Sequence, residues 1–162
     1  MSRMSLRGGL LAAAMIVLAA PAVHAGTPEV FVAEVQAPLD EVYKGISGSL
    51  DKAGYYVAFE MDMFKGMSSS LARKLGEDFN RAKLEGIKSM VFCQGTHANA
   101  IMNADADMLA LCPLHLTVVH KAGTTRVLFA RPTALAKGSA AEAAVKALED
   151  DVIAAIRAGT GT

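Results

Sequence analysis

A chain of 162 residues whose 16 basic and 16 acidic side chains balance and intersperse has the length of one domain with one core. It lacks the concentrated basic surface that binding to DNA or RNA requires, so nucleic acid is excluded as an expected partner. With no Trp, six Phe and three Tyr, the core must be built mainly from aliphatic side chains and Met.

The first 25 residues read as a secretory signal peptide. Arg3 and Arg7 form a positive n-region, Leu10–Ala20 an apolar h-region, and Val23-His24-Ala25 a small-residue cleavage pattern after Pro21. The apolar run from Gly8 to Val23 spans 16 residues, short of the ~20 a membrane helix needs. An uncleaved N-terminal anchor is the alternative. No Cys follows the h-region, so no lipoprotein anchor is offered. Cleavage would leave a single domain over residues 26–162, with 14 basic against 16 acidic side chains and a net charge of −2. The expected address is the periplasm or the medium, with no stable membrane insertion after cleavage. That compartment is oxidising, so a Cys pair can form a disulfide there.

Phe31–Val35 alternates as a first strand. Pro38, with Asp40 and Glu41 beside it, opens a helix that carries Leu39, Val42, Tyr43, Ile46 and Leu50 on one face and stops at Gly54. Tyr55–Met61 favours a second strand. Met67, Leu71, Leu75 and Phe79 step by four and predict a second amphipathic helix. Ser89–Cys93 predicts a short buried strand, after which Thr96 is expected to cap a helix bearing His97, Ile101 and Met102. A helical turn at Asp107–Leu111 should end before Pro113. Leu114–His120 and Arg126–Ala130 read as a hairpin turning at Lys121–Thr124. Ser139-Ala140-Ala141-Glu142 has the form of a capping box for a last helix, with Val145, Leu148, Val152 and Ile156 on one face and Gly159 at its end. The order βαβαβαββα predicts an α+β domain: one mainly antiparallel sheet with helices packed mostly on one face.

The segments FNRAKLEGIKSMVFC, ANAIMNADADMLALCPLHLTVVHKAG and TTRVLFARP resemble the family catalogued as domain of unknown function 302. The likeness runs from Phe31 to Thr133 with the same order of elements. It implies an α+β fold that forms a homodimer through its sheet. It implies no particular chemistry, because the family's activity is largely unassigned.

The motifs that announce common chemistries are absent. There is no GxxxxGK[ST], no GxGxxG after a strand, no GxSxG, no HExxH and no CxxCH. Nothing in the sequence advertises an enzyme. Chemistry-bearing residues concentrate instead in FCQGTHANAIMNADADMLALCPLH, from Phe92 to His115.

Cys93 ends one strand and Cys112 precedes the next, so the pair is expected to lie close. Three readings stay open. One is a disulfide closing a loop of about 20 residues, worth about 3 kcal/mol in the chain-entropy model. The others are two buried thiols or a pair of thiolate ligands. His97, His115 and His120 are the histidines left after signal cleavage. His115 and His120 are five residues apart in one strand and so face opposite sides.

The functional expectation is a small exported ligand-binding protein holding noncovalent b-type haem, or a soft metal, for electron transfer or cofactor handling with a periplasmic redox partner. Haem iron accepts His, Cys or Met, which makes His97, Cys93, His115 and Met102 the candidate cofactor ligands. His97, Cys93 and Cys112 are the candidate metal ligands. One alternative is a cofactor-free periplasmic interaction module bridged by Cys93–Cys112. Another is Cu(I) held by Met61, Met63 and Met67, since thioethers select that ion and alternation would put Met61 and Met63 on one side of an extended strand. Asn80, Asn99 and Asn103 are lesser candidates for lining a pocket or capping turns, and Arg131-Pro132 for holding an anionic group.

Overall fold

The computed structural model describes residues 27–68 and 70–162. The expected signal peptide and its cleavage site lie outside them. Five strands form one antiparallel sheet in the order β1-β5-β4-β3-β2, from β1 (Val30–Val35), β2 (Tyr56–Asp62), β3 (Gly86–Cys93), β4 (Leu114–Lys121) and β5 (Thr124–Ala130). The α+β architecture expected from the sequence is the one observed. Among the described residues, no helix is long and apolar enough to cross a membrane.

Strand alternation sorts the sheet into two faces. Ala33, Met90, Phe92, Leu116, Val118, Val127 and Phe129 are buried and point to the helical layer. That layer is made by α1 (Leu39–Lys52) and α6 (Glu142–Thr160), which share one hydrophobic cluster with the sheet. The helices bury the stripes their sequences predict: Val42, Tyr43, Ile46 and Leu50 on α1, and Val145, Leu148, Val152 and Ile156 on α6. The other sheet face carries Val32, Leu128, Thr117, His115, Val91 and Ser89, with Tyr56, Phe59 and Met61 exposed on the edge strand β2.

Four local expectations are corrected. Met67 to Phe79 is not one helix. α2 (Met63–Ser68), α3 (Ser70–Leu75) and a 3-10 turn (Gly76–Asp78) occupy it, Gly76 has φ +55°, and Phe79 leaves in extended conformation. No residue of α3 is buried, so no packed face extends the helix. The cap of α4 (Gly95–Ala104) is Gln94 rather than Thr96, its side chain accepting from the His97 N–H at 3.1 Å. Ser139 and Glu142 do not form a reciprocal box. Ser139 Oγ accepts from Ala141 N while donating to Asp105, and Glu142 Oε2 accepts from Gly138 N at 2.8 Å.

Gly159 does not end α6 either; Gly161, with φ +72°, does. Gly159 instead serves the packing of α1 on α6. A Cβ there would stand 2.6 Å from Ile46 Cα, and Gly45 faces the Gly159 carbonyl from the other side. Two glycines let these backbones touch.

Candidate functional site

The turn after α1 sets the site's first residue. Gly54, at φ +80°, supplies a left-handed conformation that other residues adopt only at a cost, and the chain enters β2 through Tyr55. Tyr55 is buried, its ring edge-on to Phe92 at 5.7 Å and stacked on His97 at 6.3 Å. Its hydroxyl donates to Asp151 Oδ2 at 3.0 Å. Burial first, then the Asp151 bond and charge, then the nearby Cys93, push the phenol's pKa far up, so Tyr55 stays protonated as a donor.

His97 occupies the first turn of α4, held by the Gln94 cap, and its Nε2 lies 3.3 Å from the same Asp151 oxygen. A carboxylate only accepts, so Nε2 is the donor in this contact. Asp151 thus anchors a tyrosine and a histidine at once.

The thiols border this group. Cys93, at the end of β3, pairs in register with Tyr56 and lies within electrostatic reach of Tyr55. Cys112 follows a 3-10 turn (Ala106–Leu111) and leads into β4. Both are free and half-buried, and the Cys93 sulfur is near enough to act electrostatically on Cys112. Burial, and then the Cys93 sulfur, raise the pKa of Cys112. The closeness inferred from the strand ends is therefore observed. Among the described residues, no three His, Cys, Asp or Glu side chains converge to hold a metal ion.

The other expected site residues lie elsewhere. Met102 is exposed on α4. His115 is exposed on β4 opposite Val91, beside a cavity of about 200 Å³ walled by Leu111, Pro113 and Phe129. The four candidate haem ligands are thus divided: His97 joins the Tyr55 cluster, Met102 is exposed on α4, and Cys93, by strand alternation, shares with Val91 the sheet face that carries His115. His120 points the opposite way from His115, as odd spacing requires, and binds Thr125 Oγ1 at 2.8 Å.

The Met61–Met63 argument fails because β2 ends at Asp62 and Met63 is already helical, so strand alternation does not align them. Asn80 closes its own turn through Leu84, accepting from its N–H at 2.9 Å and donating to its carbonyl at 2.7 Å. Arg131 pairs with buried Glu149 at 2.7 Å.

Tyr55 and Asp151 were not foreseen from sequence. Tyr55 read as an ordinary strand residue, and nothing local marks Asp151 as more than an acid beside an apolar stripe. Glu149 did leave a signal, since it lies within that stripe, four residues from both Val145 and Ile153.

No curated protein matches the sequence. The structure is similar to the crystal structure of an uncharacterized conserved DUF302 protein from Bacillus stearothermophilus, with a TM-score of 0.68, 18% identity, and coverage of 82% of this chain and 98% of that one. At that identity the likeness concerns the fold. The family model described as Domain of unknown function DUF302 matches residues 31–159, and the chain belongs to that family.

Proposed function

We propose that this chain is an exported protein that binds and hands on a soft metal ion, Cu(I), between the thiolates of Cys93 and Cys112. The observation that carries this reading is the juxtaposition of those two sulfurs at the mouths of neighbouring strands. Soft thiolates select Cu(I), and a d¹⁰ ion is satisfied by two such ligands, so a third converging donor is not required. His97 stands in the neighbouring cluster, its ring oriented by Asp151.

Both thiols must lose their protons to bind the ion. Affinity therefore rises with pH, the more so because the Cys112 pKa is raised. Homodimerisation through the sheet suits this reading, since Tyr56, Phe59 and Met61 leave apolar side chains exposed on the edge strand.

The test is competition for Cu(I) against a chelator under reductant, with wild type, Cys93→Ser and Cys112→Ser. Tight binding of one ion, weakened more than about 100-fold in either variant, is expected. Wild-type affinity weaker than about 1 µM would end the reading and leave the pair as a bridge or as core thiols.

Haem b is the second reading, and one observation favours His115 over His97 as its ligand. His115 is exposed beside an apolar-walled cavity, whereas His97 is engaged by Asp151. Titration with haem giving no Soret shift, or a Soret band unchanged in His115→Ala, would dismiss it.

A further inference from the structure

A second cavity, of about 580 Å³, opens between α5 (Thr133–Ala136) and the first turns of α6, and neither thiol lines it. Its wall contains Arg131, Thr133, Lys146 and Glu149. Glu149 is 1% exposed, and both its oxygens are committed. Oε1 accepts from Arg131 Nε at 2.7 Å, and Oε2 accepts from Thr133 N at 3.0 Å and Thr133 Oγ1 at 2.5 Å.

This arrangement determines what Arg131 has left to offer. Only Nε is used, so the two terminal nitrogens are unpartnered among the described residues on a guanidinium whose side chain is 42% exposed. A buried carboxylate behind it holds the fork in place, which reduces the entropy lost when the fork binds something else. Lys146 adds a second cation to the same wall, with Asp150 as its neighbour at 2.5 Å. Glu142 also stands in the wall, and its Oε2 accepts from Gly138. The wall thus holds two cations and two carboxylates, so recognition must come from directed hydrogen bonds and not from net field.

We propose that this cavity binds a small organic oxyanion, a carboxylate or a phosphate monoester, with the terminal nitrogens of Arg131 as a bidentate clamp and Lys146 as its second contact. Planar and tetrahedral oxyanions both match the guanidinium fork, and the cavity volume falls within the range of small-molecule sites. The proposal is independent of the thiol pair.

The test is amide-resolved NMR titration of the protein with succinate and, separately, inorganic phosphate at constant ionic strength. Saturable shifts confined to Thr133, Ala143, Lys146 and their neighbours are expected, and the tighter of the two probes names the source. Arg131→Lys keeps a cation for Glu149 but removes the fork, and should weaken binding roughly 10-fold. If that variant loosens the fold, Lys146→Gln on the exposed side of α6 replaces it, with the same expectation. No saturation below about 10 mM with either probe, or unchanged affinity in the folded variant, overturns the proposal.

Discussion

The Tyr55 hydroxyl donates to Asp151 Oδ2 at 3.0 Å, tying the start of β2 to the middle of α6 across 96 positions of sequence. His97 reaches the same oxygen at 3.3 Å, so one carboxylate joins three elements. Tyr55→Phe should cost about 1 kcal/mol and Asp151→Ala about 2 kcal/mol in urea unfolding. The double variant should cost less than their sum, because both remove one shared bond. Strict additivity would show that the bond contributes nothing.

The thiol pair predicts an alkaline loss of stability. Burial and Cys93 raise the Cys112 pKa in the folded state, so the neutral thiol is favoured by folding. That stabilisation is fully present below the unfolded value of about 8.5 and is lost as pH rises through the higher folded value. Under reductant, the wild-type unfolding midpoint should fall between pH 8 and pH 10 by more than that of Cys112→Ala (about 8.5 being the reference). Parallel pH curves for the two proteins would contradict this.

Glu149 predicts the opposite dependence. Burial by itself would raise its pKa, but the Thr133 hydroxyl and amide and the Arg131 guanidinium outweigh that and lower it. Its stabilisation is therefore present above the unfolded value of about 4.3 and is lost as pH falls through the folded value. Glu149→Ala should cost about 2–3 kcal/mol at pH 7, less than a fully buried pair because Arg131 is half-exposed. The gap from wild type should close in acid, and chemical denaturation across pH 2.5–7 (about 4.3 being the reference) reads it directly.

The two glycine classes should respond with opposite sign. Gly159→Ala puts a methyl 2.6 Å from Ile46 Cα and should destabilise by about 1–3 kcal/mol as α1 and α6 are forced apart. Gly48→Ala, in the interior of α1 with nothing within 4 Å of the new Cβ, should stabilise by about 0.5–1 kcal/mol. Thermal melts of the two variants moving in the same direction would contradict the packing account.

Elements with a strong period were readable along the chain. The stripes of α1 and α6, the alternation of β1 and the Ala122-Gly123 hairpin turn depend on neighbours in sequence, and all occur where expected. Met67–Phe79 misled because its fourfold apolar spacing has no core to face. Gly159 misled because a glycine near a helix end normally terminates it, whereas here it accommodates a neighbouring backbone.

The site divides along the same line. Sequence alone determined that Cys93, Cys112 and His97 fall at the ends of adjacent elements, because strand length and loop position are local properties. It also determined the α+β class, through periodicity and order. Only the tertiary structure decided that Tyr55 and Asp151 complete the group, that His115 and Met102 stand apart from it, and that buried Glu149 holds Arg131 at a cavity. Those are contacts between residues far apart in the chain. They depend on how α6 crosses α1 and docks on the sheet, and no local pattern encodes that angle.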